Sequence, residues 1–161
     1  MPYQLSDDRA ARLAAANINP VTGLATDYLN RFNEAIMLLE ALSSCPECLD
    51  DLRAWKPASY RDHFARSRFK HRALAIEAYD DADPAVKHCL DTLADTMTSV
   101  LEATRAALSA DLPAETAAQL AQRAVAWLRP LVARAGAVIN GDAQSTVAPT
   151  PQAAADILMR R

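Results

Sequence analysis

The scarcity of glycine limits what this chain can fold into more than any other feature of its sequence. Only Gly23, Gly136 and Gly141 occur in 161 residues, so neither a glycine-rich phosphate-binding loop nor a G-x-S-x-G nucleophile elbow can be assembled. β-Hairpins depend on turns that favour glycine, whereas alanine, which makes up about a fifth of the chain, is the best helix former. The sequence therefore predicts an all-α fold.

Proline rather than glycine marks the boundaries between the predicted helices. Apolar residues recur with helical periodicity, and the resulting helices are expected over 7–15, 24–43, 49–55, 59–79, 84–109 and from 113 to Gly136 or Gly141. Pro130 lies inside the last pattern, so that helix is expected to kink or break there. These elements predict an antiparallel bundle of four to five main helices over residues 1–140, followed by a linker and a short C-terminal helix over 141–161.

Composition also bears on location and partners. Even the longest apolar runs, such as Ala35–Leu39, are far shorter than the roughly 20 residues that cross a membrane, so no membrane partner is expected. An odd number of cysteines speaks against a disulfide framework and fits a reducing compartment. The formal net charge of −3 and the pI of 5.6 argue against nucleic acid as a partner. We therefore expect a cytoplasmic protein, and the excess of Arg over Lys suggests a bacterial gene.

His71 is the residue that most suggests an interior site. It shares the predicted apolar face of the helix over 59–79 with Ser67, and an unpaired buried polar group costs about 1–3 kcal/mol. Asn33 and Glu40, one heptad apart at the edge of the preceding apolar stripe, are the expected partners. The four residues predict a pocket for a small ligand or a metal, with catalysis as one outcome and a hydrogen-bonded core histidine as the simpler one.

The C-x-x-C segment formed by Cys45, Pro46, Glu47 and Cys48 is the second candidate. Two thiols at this spacing can coordinate a zinc ion or form a redox pair. Cys89 or its neighbour His88 would add a further zinc ligand. A second C-x-x-C is missing, and so is the βαβ pattern that usually accompanies a redox motif. A loop with incidental cysteines, and no cofactor, is the simpler interpretation.

Two groups of charged residues complete the candidates. The run over 61–72 is rich in Arg, and a helical wheel brings together the predicted anion-binding or nucleic-acid-binding residues Arg61, Arg68 and Arg72. One polar face of the helix over 84–109 carries His88, Asp91 and Asp95. A solvated, ion-paired surface is the simpler interpretation of both groups.

The leading functional hypothesis is a non-enzymatic interaction or regulatory protein that binds a protein partner or a second copy of itself. This hypothesis rests on three kinds of site that the sequence does not show: a nucleophile with its catalytic partners, a full set of metal ligands and a phosphate-binding loop. The segment QAAADILMRR, over 152–161, is expected to dock as a helix on a partner or on its own bundle. An interior ligand site around His71 and anion binding through Arg61–Arg72 are the two alternatives.

Overall fold

The computed structural model describes residues 2–108 and 111–142. Every regular element in these ranges is helical, which confirms the all-α prediction for this part of the chain. Seven α-helices pack against one another: α1 Pro2–Ala15, α2 Asn30–Ala41, α3 Cys48–Ala54, α4 Tyr60–Arg66, α5 Arg72–Asp81, α6 Pro84–Leu108 and α7 Ala114–Ile139, with a 3₁₀ helix at Thr26–Leu29. The predicted C-terminal helix and most of its linker lie outside the described residues. None of the described helices is long and apolar enough to cross a membrane.

The long helices α6 and α7 form the main packing pair, and α2 packs against α7. Asp83 caps α6 as expected, because its carboxylate accepts a hydrogen bond of 2.9 Å from the Ala85 amide. The apolar stripe predicted over 24–43 is buried almost throughout, although its first turn is the 3₁₀ helix rather than an α-helix. A kink or a break was expected at Pro130, and α7 continues through this residue without a break. Pro130 is exposed, so water can satisfy the backbone carbonyl that loses its partner there.

The single helix predicted over 59–79 is wrong, because it is divided into α4 and α5 by a turn over 67–71. The Ser67 hydroxyl causes the break locally: it donates to the Phe64 carbonyl at 3.0 Å and accepts from the Phe69 amide at 3.2 Å. Such side-chain bonds to the backbone replace the bonds that would continue a helix. The turn brings the Phe69 ring back against the Phe64 ring, with 5.5 Å between centroids.

The loop between α1 and the 3₁₀ helix joins three parts of the fold. The Asn19 side chain accepts from the amides of Val21 and Thr22, and the Thr22 hydroxyl donates to the Ile139 carbonyl at the end of α7. Gly23 follows with φ of +73° and lies directly against the Ala78 carbonyl of α5. The loop therefore holds the end of α7 and the middle of α5 together.

Candidate functional site

An apolar groove lies where the end of α2, the loop that follows it, the end of α6 and the start of α7 meet. Its volume is about 360 Å³, and most of its lining is apolar. Its apolar lining includes Leu42, Pro46, Leu49, Leu108, Ala114 and Ala117. Leu42 and Leu49 are only partly buried, so apolar surface remains open to another molecule.

Of the residues that line this groove, Glu115 carries a negative charge. Further carboxylates lie on the segments 42–52 and 111–118, which contribute most of the lining: Glu47, Asp50, Asp51 and Asp111. Asp50 pairs with Arg53 at 3.5 Å. We call this surface the acidic-rimmed groove. All five carboxylate residues are exposed. A negative rim around an apolar centre favours a ligand with apolar side chains and flanking positive charges.

The C-x-x-C segment lies at the edge of the groove, through Pro46. Cys45 and Cys48 are half-buried, and the Cys45 thiol donates to the Glu47 carboxylate at 3.2 Å. Hydrogen bonds to Cys48 and to Glu47 raise the pKa of the Cys45 thiol to about 11. At neutral pH this thiol therefore keeps its proton.

The predicted zinc ligands are not gathered into one site. Cys89 is buried in α6, whereas Cys45, in the loop after α2, and Cys48, the first residue of α3, are only half-buried. Among the described residues, no group of three or more His, Cys, Asp or Glu side chains is arranged to hold a metal ion. Two thiols without further ligands fall short of the four that a structural zinc site requires.

The four residues of the predicted interior pocket do not form a network. His71 is half-buried at the start of α5, because the turn over 67–71 removes it from the continuous apolar face assumed for it. The Ser67 hydroxyl is used within that turn. Asn33 and Glu40 are exposed on α2, and Glu40 forms an ion pair with Arg129 of α7.

The broken helix also separates the predicted anion-binding arginines. Arg61 in α4 pairs with Asp80 of α5, and Arg72 donates to the Ser67 carbonyl at 3.3 Å. Arg68 is exposed in the turn. The helical wheel that grouped the three arginines assumed one continuous helix over 59–79. Because this segment is divided, the helical wheel no longer supports their grouping.

Sequence reasoning missed a half-buried histidine–aspartate pair. The imidazole of His63 in α4 lies 3.0 Å from the Asp27 carboxylate of the 3₁₀ helix, and its ring packs edge-on against Tyr28 and Phe64. The spacing of His63 three residues after the buried Tyr60 was a usable signal for an inward position. Its partner lies 36 residues away and is fixed only by the tertiary fold. The pair ties the 3₁₀ helix to α4.

The tyrosines beside this pair are structural as well. The Tyr60 hydroxyl accepts from the Ala25 amide, and the Tyr28 hydroxyl donates to the Ala58 carbonyl, each at 2.9 Å. Burial raises the pKa of both hydroxyls well above the usual range for tyrosine. Both side chains therefore remain neutral and serve as hydrogen-bonding core residues.

Asp91 is expected to lower stability at neutral pH. Partial burial and the neighbouring carboxylate of Asp95 raise its pKa, so the folded state binds its proton more tightly than the unfolded state does. The stability that this proton adds is present below about pH 4 and is lost as the pH rises through the folded pKa. We expect Asp91→Asn to stabilise the protein at pH 7 by at most about 1 kcal/mol, since solvent screens an exposed carboxylate.

Urea unfolding of Asp91→Asn at pH 3.5 and pH 7 tests this expectation. The gain should be present at pH 7 and shrink at pH 3.5. Glu102→Gln removes one charge from an exposed position of the same helix and controls for the change in net charge. An equal gain for both variants at pH 7 would mean that net charge, rather than the surroundings of Asp91, is responsible.

Among the described residues, the acidic-rimmed groove is the feature best suited to bind another molecule. It combines open apolar surface with charge of one sign, whereas the His63–Asp27 pair and the tyrosines are used within the fold. No family model matches the chain, and neither a curated protein nor a solved structure matches it. The geometry of the groove is therefore the basis for the proposed function.

Proposed function

We propose that this chain is a small, cytosolic, bacterial helical-bundle protein that acts without catalysis, by binding a protein partner in the acidic-rimmed groove. The occupant is a segment of the partner with apolar side chains flanked by Lys or Arg. The observation that carries the proposal is the open apolar lining at Leu42 and Leu49, together with Glu115 in the lining and four further exposed carboxylates on the adjoining segments. Apolar burial would supply affinity, and the rim would select a basic segment and speed its approach.

The proposed bundle places the groove at one end of an antiparallel helix pair. Only five residues, 109–113, separate α6 from α7, and two long helices joined by so short a connection pack side by side in opposite directions. Leu108 at the end of α6 and Ala114 at the start of α7 both line the groove. The part of its wall that α6 and α7 contribute thus belongs to two long helices, which reduces the entropy lost when a ligand binds.

A basic amphipathic peptide provides the test. The probe is a fluorescein-labelled peptide of 14 residues made only of Leu and Lys in a helical pattern, and binding is measured by fluorescence anisotropy. Ala114→Arg places a bulky cation in the groove at an exposed position. We expect this substitution to weaken binding about tenfold or more, which corresponds to about 1.4 kcal/mol.

Ala133→Arg is the matched control. It introduces the same side chain at another exposed alanine of α7, outside the groove lining. We expect it to change the affinity less than twofold, because its charge lies away from the binding site and is screened by salt. Equal losses of affinity in the two variants would show that net charge alone determines peptide binding, and would contradict the proposal. A parent protein that does not bind the peptide would overturn the proposal as well.

A second candidate function is anion binding by the turn between α4 and α5. Arg66, Arg68 and Lys70 are exposed, and none of these side chains has a hydrogen bond or ion pair within the described ranges. Three unneutralised cations in five residues favour a small anion or a phosphorylated partner. The candidate ranks second because the overall negative charge of the chain opposes the approach of a polyanion.

A further inference from the structure

We propose that Cys45 and Cys48 form a reversible dithiol–disulfide pair that exchanges with small disulfides such as oxidised glutathione. The proposal is independent of what binds in the groove. It concerns the end of the loop between α2 and α3 and the first residue of α3, a segment that the proposed function uses through Pro46 and the Glu47 carboxylate.

The backbone of this loop already holds the two cysteines at disulfide distance. The Cys48 amide donates to the Cys45 carbonyl at 3.0 Å, which closes a four-residue turn. The first and last Cα atoms of such a turn lie within about 7 Å of each other, and disulfides bridge Cα separations of about 4.4–6.8 Å. A Cys45–Cys48 bond therefore requires little movement of the backbone.

The two thiol groups also face each other and remain reachable. The Cys48 side chain is the main cause of the raised pKa of the Cys45 thiol, which places the two thiol groups near each other before any oxidation. Both residues are half-buried, which leaves them open to a small reagent, whereas Cys89 is buried. The three cysteines thus divide into one accessible pair and one core residue.

Glu47 gives the two thiols different roles. Its carboxylate accepts from the Cys45 thiol at 3.2 Å, and this contact keeps the proton on Cys45. Because Glu47 holds the Cys45 thiol, we assign the first attack to Cys48. Glu47 is then placed to take the proton of Cys45 when that thiol reacts in turn.

The exchange runs in two balanced steps. Cys48 loses its proton to water and attacks one sulfur of the small disulfide, forming a mixed disulfide and releasing a thiolate that takes up a proton. Cys45 passes its proton through Glu47 to solvent and attacks the Cys48 sulfur, which forms the Cys45–Cys48 bond and releases the second thiolate for protonation. Two cysteine thiols are oxidised, one small disulfide is reduced to two thiols, and the number of protons is unchanged.

Intact mass spectrometry of the folded full chain tests the pair. After incubation with oxidised glutathione and alkylation of the remaining thiols, we expect a species with one internal disulfide, about 2 Da lighter than the reduced chain before alkylation and carrying at most one alkyl group. Dithiothreitol should restore the original mass. Cys45→Ser should stop at the mixed disulfide on Cys48, about 305 Da heavier than the reduced variant.

Two further variants make the result decisive. Cys89→Ser should still form the internal disulfide, because the buried cysteine takes no part. Glu47→Gln should form the same internal disulfide, because the turn that brings the two cysteines together is closed by backbone groups and not by this carboxylate. Failure of the parent to close the disulfide, closure that requires Cys89, or stable glutathione adducts on both Cys45 and Cys48 of the parent would each overturn the proposal.

Discussion

Replacing Gly23 with alanine is expected to destabilise the protein by about 2–4 kcal/mol. Gly23 has φ of +73°, a backbone conformation that costs a side-chain-bearing residue about 1–2 kcal/mol. A Cβ atom at this position would lie 2.9 Å from the Ala78 carbonyl oxygen, which belongs to the backbone of α5 and cannot rotate away. The loop would have to move away from α5. This movement would strain the hydrogen bond from the Thr22 hydroxyl to the Ile139 carbonyl at the end of α7.

Gly136 provides a control of opposite sign. It lies inside α7, and an added Cβ would lie 3.8 Å from a methyl carbon of Leu29, at an ordinary contact distance. Gly136→Ala should therefore raise stability by about 0.5–1 kcal/mol, the usual gain in a helix interior. Urea unfolding followed by circular dichroism measures both variants. A Gly23→Ala protein as stable as the parent would contradict the close approach of this loop to α5.

Much of the helical fold follows from local chemistry that a single sequence displays. Asp83 followed by proline identified the start of α6, and the apolar stripe over 24–43 identified a buried surface. The division of the segment 59–79 was not visible, because a helical wheel assumes that the helix is continuous. Ser67 is compatible with a helix, and its preference for local backbone bonds prevails only where Phe69 can pack against a neighbouring ring.

The candidate site was less predictable than the fold. The groove joins residues from two segments about 60 positions apart, so its apolar lining and acidic rim become one surface only after α2, α6 and α7 pack together. The partner of Glu40 could not be inferred for the same reason, since Arg129 lies on a distant helix. The C-x-x-C segment was recognisable because all its residues are adjacent, but its turn geometry and the contact with Glu47 required the structure.

Phe64→Ala is expected to cost about 3–5 kcal/mol, the largest loss predicted for a single side chain here. Phe64 is completely buried, and its ring contacts Tyr60 at 4.7 Å and His63 at 4.9 Å between centroids. Its removal leaves a cavity beside two rings that their own hydrogen bonds hold in place, so the site cannot collapse easily. Phe69→Ala, at a half-buried position, should cost only about 1–2 kcal/mol.

The double variant of Phe64 and Phe69 tests the broken helix itself. In a continuous helix over 59–79, residues five positions apart would point about 140° away from each other and would not touch. In the folded turn their rings meet edge to face at 5.5 Å, so the two losses should be coupled by about 0.5–1.5 kcal/mol. Urea unfolding of the parent, both single variants and the double variant gives this coupling energy. A value below about 0.3 kcal/mol would favour the continuous helix, because distant residues contribute additively.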